Sequence, residues 1–215
     1  MSTATPDHLD AFPGRRVCVL GDALVAGVGD PRAMGWTGRV AARTPDDDGP
    51  TTVFPLGVPG EGTAGLLERW VPETSRRFAP GAENRLVVGL GGADLDAGLT
   101  LARSRLNLAN VLDEAASRGL PVLVVGPAPG AEPGHGAGHS RNDDLAELAD
   151  AFADVCARRA VRYVDCFDPL VQHEQWHADL AAGDGVHPGQ AGYGLLAWLV
   201  LHGGWRPWLG LPDEA

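Results

Sequence analysis

Residues Arg15 to Asp30 read RRVCVLGDALVAGVGD. The run Arg16 to Leu20 is short, rich in Val and Leu, and stopped by the polar turn Gly21–Asp22, which predicts a buried strand ending in a loop. The same pattern recurs along the chain. Runs at Thr52 to Leu56, Arg85 to Leu90, Pro121 to Val125 and Val161 to Val164 read as four further strands. Between them lie helical patterns near Trp36 to Arg43, Thr63 to Arg77, Leu99 to Arg118 and Arg141 to Arg159, and a last helix follows Pro188 to about His202. Strands that alternate with helices predict an α/β fold with a doubly wound parallel sheet. No internal repeat or composition break marks a second domain, so residues 15–208 read as one domain between tails at 1–14 and 209–215.

The composition narrows the function classes. The chain has 215 residues, 17 basic against 28 acidic, and a net charge of −11. That balance argues against nucleic acid and anionic membrane surfaces, both of which bind through basic footprints. All 17 basic residues are arginines, which excludes Schiff-base, P-loop and Ser–Lys chemistry. The three cysteines, Cys18, Cys156 and Cys166, are an odd and widely spaced set, which reads as reduced thiols. The first sixteen residues contain no signal-like apolar run, and no later stretch has the length of a membrane span. The expectation is a soluble cytoplasmic protein.

In an open parallel sheet, ligands bind at the carboxyl ends of the strands. The segments just after the strands are GDALVAGVGD (Gly21 to Asp30), GVPGEGT (Gly57 to Thr63), GGAD (Gly91 to Asp94) and, later, GDGVHP (Gly183 to Pro188). Each alone reads as an ordinary turn or helix cap. Together they converge on one sheet edge. Their order and spacing resemble the SGNH, or GDSL-type, hydrolase family, from about Arg15 to Trp208 and including the GPAP turn Gly126 to Pro129.

The resemblance implies a three-layer α/β/α sandwich whose five-stranded parallel sheet has the flavodoxin-like order 2-1-3-4-5. It also implies an esterase-like mechanism with no metal and no cofactor. In that mechanism a serine after the first strand attacks an acyl carbonyl, a histidine takes its proton, and an aspartate three residues earlier orients the histidine. The oxyanion is held by the nucleophile's amide, a glycine amide of the second turn and an asparagine side chain of the third. The matching positions are Ala23, His187, Asp184, Gly57 and Ala93, with Asp22, Leu24, Gly92 and Val186 beside the substrate. Two of these depart from the family pattern: alanine stands at the serine position, Ala23, and at the asparagine position, Ala93. Pro59 and Gly62 also depart from the usual polar run of the second turn, which tilts the reading toward a natural divergent member.

No other serine takes the nucleophile's place. Ser75, Ser104 and Ser117 fall in helical stretches, Ser2 in the first tail, and Ser140 reads as a helix N-cap. Cys18 lies inside the first strand and reads as a buried small hydrophobe. His135 with His139 and His173 with His177 have a metal-ligand spacing, yet the former pair lies in the Gly- and Pro-rich run Pro127 to Ser140 and neither has a third ligand in view. That run reads as a flap or site rim. Trp176, Trp205 and Trp208 read as core, and Asp46 to Asp48 and Asp143–Asp144 as a solvated loop and helix N-terminal charge. Three readings stay open: an esterase inactivated by substitution, a natural enzyme using Asp184–His187 without an acyl-enzyme, and a binding protein without turnover. Each implies a small acyl- or ester-like ligand, and none specifies the oligomeric state.

Overall fold

The computed structural model describes residues 14–45, 49–131 and 140–212. Five strands, β1 (Arg15–Gly21), β2 (Thr51–Gly57), β3 (Glu83–Gly89), β4 (Val122–Val125) and β5 (Arg162–Val164), pair in parallel in the order β2-β1-β3-β4-β5. This is the fold that the resemblance implied.

The alternation of side chains along each strand builds two cores. Val17 and Val19 of β1 join Val87, Leu123 and Val164 on one face, while Cys18 and Leu20 join Leu86, Val88 and Val124 on the other. On the first face sit α2 (Gly35–Ala41), α7 (Glu174–Ala181) and α8 (Gln190–Val200), anchored by Trp36, Trp176 and Tyr193. On the second sit α3 (Thr63–Ser75), α5 (Leu101–Ser117) and α6 (Arg141–Ala157), anchored by Trp70, Leu108 and Phe152. Short helices α1 (Ala23–Ala26) and α4 (Ala93–Asp96) fill the turns after β1 and β3, and α9 (Arg206–Trp208) follows a π-helical turn at Leu201–Trp205.

Local signals explain the helix starts. Ser140 caps α6 in a reciprocal box: its hydroxyl accepts from the Asp143 amide at 3.3 Å, and the Asp143 carboxylate accepts the Ser140 amide at 2.6 Å. Cys18, Cys156 and Cys166 are free and buried, and desolvation pushes the Cys18 and Cys156 thiols up to about 12, so all three are packing residues.

Two expectations need correction. The sequence patterns mark no helix between the fifth strand and Asp184, yet the stretch contains α7, a short helix stabilised by burial of Trp176 and Leu180, an i,i+4 pair on one face. The supposed tail from residue 209 begins inside the core, because Leu209 and Leu211 pack beside Trp205 and Trp208. Trp176, Trp205 and Trp208 are buried as expected. His135, His139, Asp46 to Asp48 and most of the Pro127–Ser140 run lie outside the described residues.

The register places three strand-terminal glycines in one row, with Gly21 of β1 opposite both Gly57 of β2 and Gly89 of β3. Helix α1 is seated on that row. A Cβ at Gly57 would strike the Ala26 amide nitrogen and lie 2.6 Å from the Asp22 carbonyl oxygen. One at Gly21 would overlap the Gly89 carbonyl, and one at Gly89 would lie 2.9 Å from Val25 Cγ2. Alanine at Gly21 or Gly57 therefore forces backbone movement under α1, and alanine at Gly89 displaces the Val25 side chain. Gly21→Ala, Gly57→Ala and Gly89→Ala are each expected to lower the unfolding free energy by about 2 kcal/mol or more, measured by urea denaturation; an unchanged midpoint in all three would show that the row tolerates a side chain.

Candidate active site

The turns that follow the strands are tied to one another by buried polar groups. Asp22 caps α1, its Oδ1 accepting the Leu24 amide at 2.9 Å. Its other oxygen lies over Gly91, where a Cβ would overlap it, and the Gly91 amide also donates to this carboxylate. The first and third turns are thereby joined. Burial outweighs these donors and pushes the Asp22 carboxyl up to about 6.

The third turn is joined to the second by Asp94. This carboxylate is buried and accepts the Thr63 amide at 2.7 Å and the Thr63 hydroxyl at 2.8 Å, while the Asn107 amide donates to the same hydroxyl at 3.0 Å. It satisfies an amide at the start of α3 that the N-cap, Gly62, has no side chain to satisfy. The sequence showed Asp94 only as part of GGAD; its partners are 31 positions away, beyond the reach of any local pattern.

The last turn meets the first through contacts at Gly29 and Tyr193. A Cβ at Gly29 would lie 3.1 Å from His187 Cβ, and Gly29 has φ +88, so glycine is needed both for space and for backbone conformation. The Tyr193 hydroxyl donates to the Val28 carbonyl at 2.6 Å.

Within that frame Asp184 and His187 form a pair. Asp184 Oδ2 is 2.6 Å from His187 Nδ1, and Oδ1 accepts the backbone amides of Val186 at 2.9 Å and His187 at 2.7 Å. Together with the His187 ring, these donors hold the Asp184 carboxyl well below the usual carboxylate range. An ionised carboxylate can only accept, so Nδ1 carries a proton, and in the neutral ring the lone pair is on Nε2.

A cleft of about 80 Å³ lies beside this ring and is lined by Asp22, Ala23, Leu24, Gly91, Gly92, Trp176, Val186 and His187, with Pro129, Gly130, Arg141 and Leu145 completing the wall. Gly57, Ala93 and Asp184 stand behind the lining: Gly57 supports the Asp22–Ala26 turn, Ala93 begins α4 next to Gly92, and Asp184 backs the imidazole. Trp176 donates its indole N–H to the Pro129 carbonyl at 3.0 Å, and Asn142 Oδ1 accepts the Gly130 amide at 2.9 Å, so the GPAP turn is fixed against α7 and α6. Arg141 was not foreseen; it grips Asp96 at 2.6 and 2.9 Å and forms one wall.

A wider hollow of about 680 Å³ opens at the other end of the sheet, around Pro121, Val122, Arg162 and Trp208. It lies at the amino ends of the strands and contains none of these paired groups. The His173–His177 pair does not converge on a site, since the His177 ring donates to the Val171 carbonyl at 2.8 Å. Among the described residues no cluster of three or more His, Cys, Asp or Glu is placed to hold a metal, and no helix is long and apolar enough to cross a membrane.

The fold that carries this cleft is found in known proteins. Residues 19–195 match the model of the GDSL-like lipase/acylhydrolase family. Among solved structures, TesA superposes with a TM-score of 0.70 at 23% identity, over 90% of this chain and 99% of that one. The lipase/acylhydrolase from Enterococcus faecalis gives 0.68 at 22% identity, over 94% and 99%. AlinE4, an SGNH-hydrolase family esterase, gives 0.59 at 24% identity, over 90% and 96%. These likenesses concern the fold. No curated protein sequence matches the chain significantly. With the family model spanning β1 to α8 and the sheet order in agreement, the chain belongs to the GDSL-like lipase/acylhydrolase family.

Proposed function

We propose that this chain binds a small acyl- or ester-like ligand in the cleft and acts on it through Asp184 and His187 as a proton-transfer pair, without an acyl-enzyme. The observation that carries the reading is the 2.6 Å contact between Asp184 and His187, with the imidazole in the cleft wall beside Ala23. We read Ala23 as standing where the family places its nucleophilic serine. A methyl group cannot attack a carbonyl, and loss of the serine in triads costs about a million-fold in kcat.

The rest of an acyl-transfer site is compatible with attack by water. His187 Nε2 takes a proton from a water as its oxygen attacks the acyl carbonyl, Asp184 stabilises the imidazolium that results, and the imidazolium returns the proton to the leaving oxygen as the ester C–O bond breaks. The amide of Ala23 is a backbone donor for a developing oxyanion, because it does not depend on a side chain, whereas Gly57 stands behind the cleft lining. The third donor of the family pattern is absent at Ala93, and one such donor is worth roughly a hundred- to a thousand-fold. Ordinary ester hydrolysis by the chain is therefore near background.

Three outcomes test this. Short p-nitrophenyl esters should be hydrolysed at no more than a small multiple of the buffer rate, rising about a hundredfold or more in Ala23→Ser and further in Ala23→Ser with Ala93→Asn. A folded double variant that leaves a broad panel of acyl esters untouched would show that the pair is not poised for this chemistry.

The second concerns pH. Above pH 6 an ionised Asp22 shares the cleft with the ligand; below it the carboxyl is neutral and like-charge repulsion is relieved. A short-chain carboxylate such as butyrate should bind more tightly as pH falls through about 6, by calorimetric titration. Asp22→Asn should remove that step, and an identical step in the variant would assign it to another group.

The third separates turnover from binding. His187→Ala should abolish conversion of the native substrate with little change in affinity, and Asp184→Asn should impair conversion as well. Unchanged conversion in His187→Ala would sink the proton-transfer role, and binding without turnover in the wild type would leave a ligand-binding protein.

A further inference from the structure

Helices α2 and α8 enclose a second groove of about 350 Å³, away from the cleft wall, lined by Arg32, Met34, Arg39, Arg43, Gln190 and other residues. Three guanidinium groups in one hollow are unexpected in a chain whose acidic residues exceed its basic ones by 28 to 17. Their electrostatic states differ. Arg39 is an ion-pair partner of Asp30, whose side chain is fully buried; it also donates to the Gly35 carbonyl at 2.7 Å and lies over the Tyr193 ring. Arg32 and Arg43 are exposed and have no carboxylate partner among the described residues.

The groove is also pre-shaped. The Asp30 carboxylate accepts the backbone amides of Arg32 at 3.1 Å, Met34 at 3.2 Å and Gly35 at 2.9 Å as well as the Arg39 guanidinium, so one buried group fixes the backbone of Arg32 and the head of Arg39. Arg39 holds the Asp30 carboxyl down to about 2, and the clamp is ionised at neutral pH. Between Arg32 and Gly35 the chain passes through Ala33 at φ +52, a left-handed conformation that is unfavourable for a non-glycine residue and persists because the surrounding bonds impose it. Two guanidinium groups without a carboxylate partner among the described residues, held beside a third, favour an anion among them. Planar forks of N–H donors match the oxygens of a phosphate.

We propose that this groove binds a phosphate or diphosphate group of a small soluble molecule, with Arg32 and Arg43 as its direct ligands, Gln190 as a neutral donor and Arg39 as the fixed charge behind them. The site is independent of the reading given to Ala23 and His187.

The test is calorimetric titration of the full chain with inorganic pyrophosphate at low ionic strength, beside citrate and sodium chloride at matched ionic strength. Saturable one-to-one binding of pyrophosphate is expected, weakened tenfold or more by Arg32→Ala and by Arg43→Ala and lost in the double variant. Arg103→Ala, on the distant helix α5, should leave it unchanged. Arg32→Gln and Arg43→Gln serve as replacements if an alanine variant unfolds, and pyrophosphate should raise the Tm of the wild type but not of the folded double variant. Absence of saturable binding, undiminished binding in the double variant, or equal binding of citrate would overturn the assignment.

Discussion

The row of glycines at the carboxyl ends of β1, β2 and β3 is the constraint on which the site depends. Parallel strands place their carboxyl ends together, and helix α1 then has to enter at contact distance above them. Only a row without Cβ atoms allows the Val25 side chain and the Ala26 amide to sit where they do. If α1 is lifted by a single methyl group, the Ala23 amide, the Asp22 carboxylate and the cleft between Ala23 and His187 are displaced together.

Buried carboxylates then join the turns to one another. Asp22 and Asp94 are nearly inaccessible to solvent, and neither has an arginine partner among the described residues; both are satisfied by hydrogen-bond donors. Burial disfavours a charge, and hydrogen-bond donors around it offset that cost. For Asp22 the balance leaves a carboxyl that titrates near 6 inside the cleft. Asp30 represents the opposite case, in which a guanidinium and three amides make a buried carboxylate strongly acidic and the backbone around it rigid. The same kind of side chain thus supplies a titrating group in the cleft wall and a permanent clamp beneath the α2–α8 groove.

Family membership and the chemistry of this chain are separate matters, since a fold supplies a frame on which site residues vary. The frame here is built from elements that depend on backbone and turn geometry: the glycine row, the start of α1 and the Asp184–His187 loop. The side chains at positions 23 and 93 are methyl groups set on that frame, and side chains of this kind, rather than the layers that carry them, decide the chemistry of a cleft.

Periodicity and turn chemistry by themselves determined the α/β class, the five strands to within a few residues, the Ser140 cap and the polar turns after the strands. The family resemblance carried by those turns anticipated the strand order and the Asp184–His187 spacing. These features are local: a strand or cap is written in adjacent residues, and three positions within one loop suffice to bring a carboxylate to an imidazole. Helix α7 escaped the reading because its buried face is only Trp176 and Leu180, too short a pattern to stand out. Leu209 and Leu211 were assigned to a tail because nothing nearby shows what covers them. The glycine register, the Asp94–Thr63 link, the Asp22–Gly91 contact, Arg141 in the cleft wall and the arginine groove were decided only by tertiary structure. Each joins residues distant in the chain, and whether a buried carboxyl is neutral, ionised or clamped depends on donors that only folding brings to it.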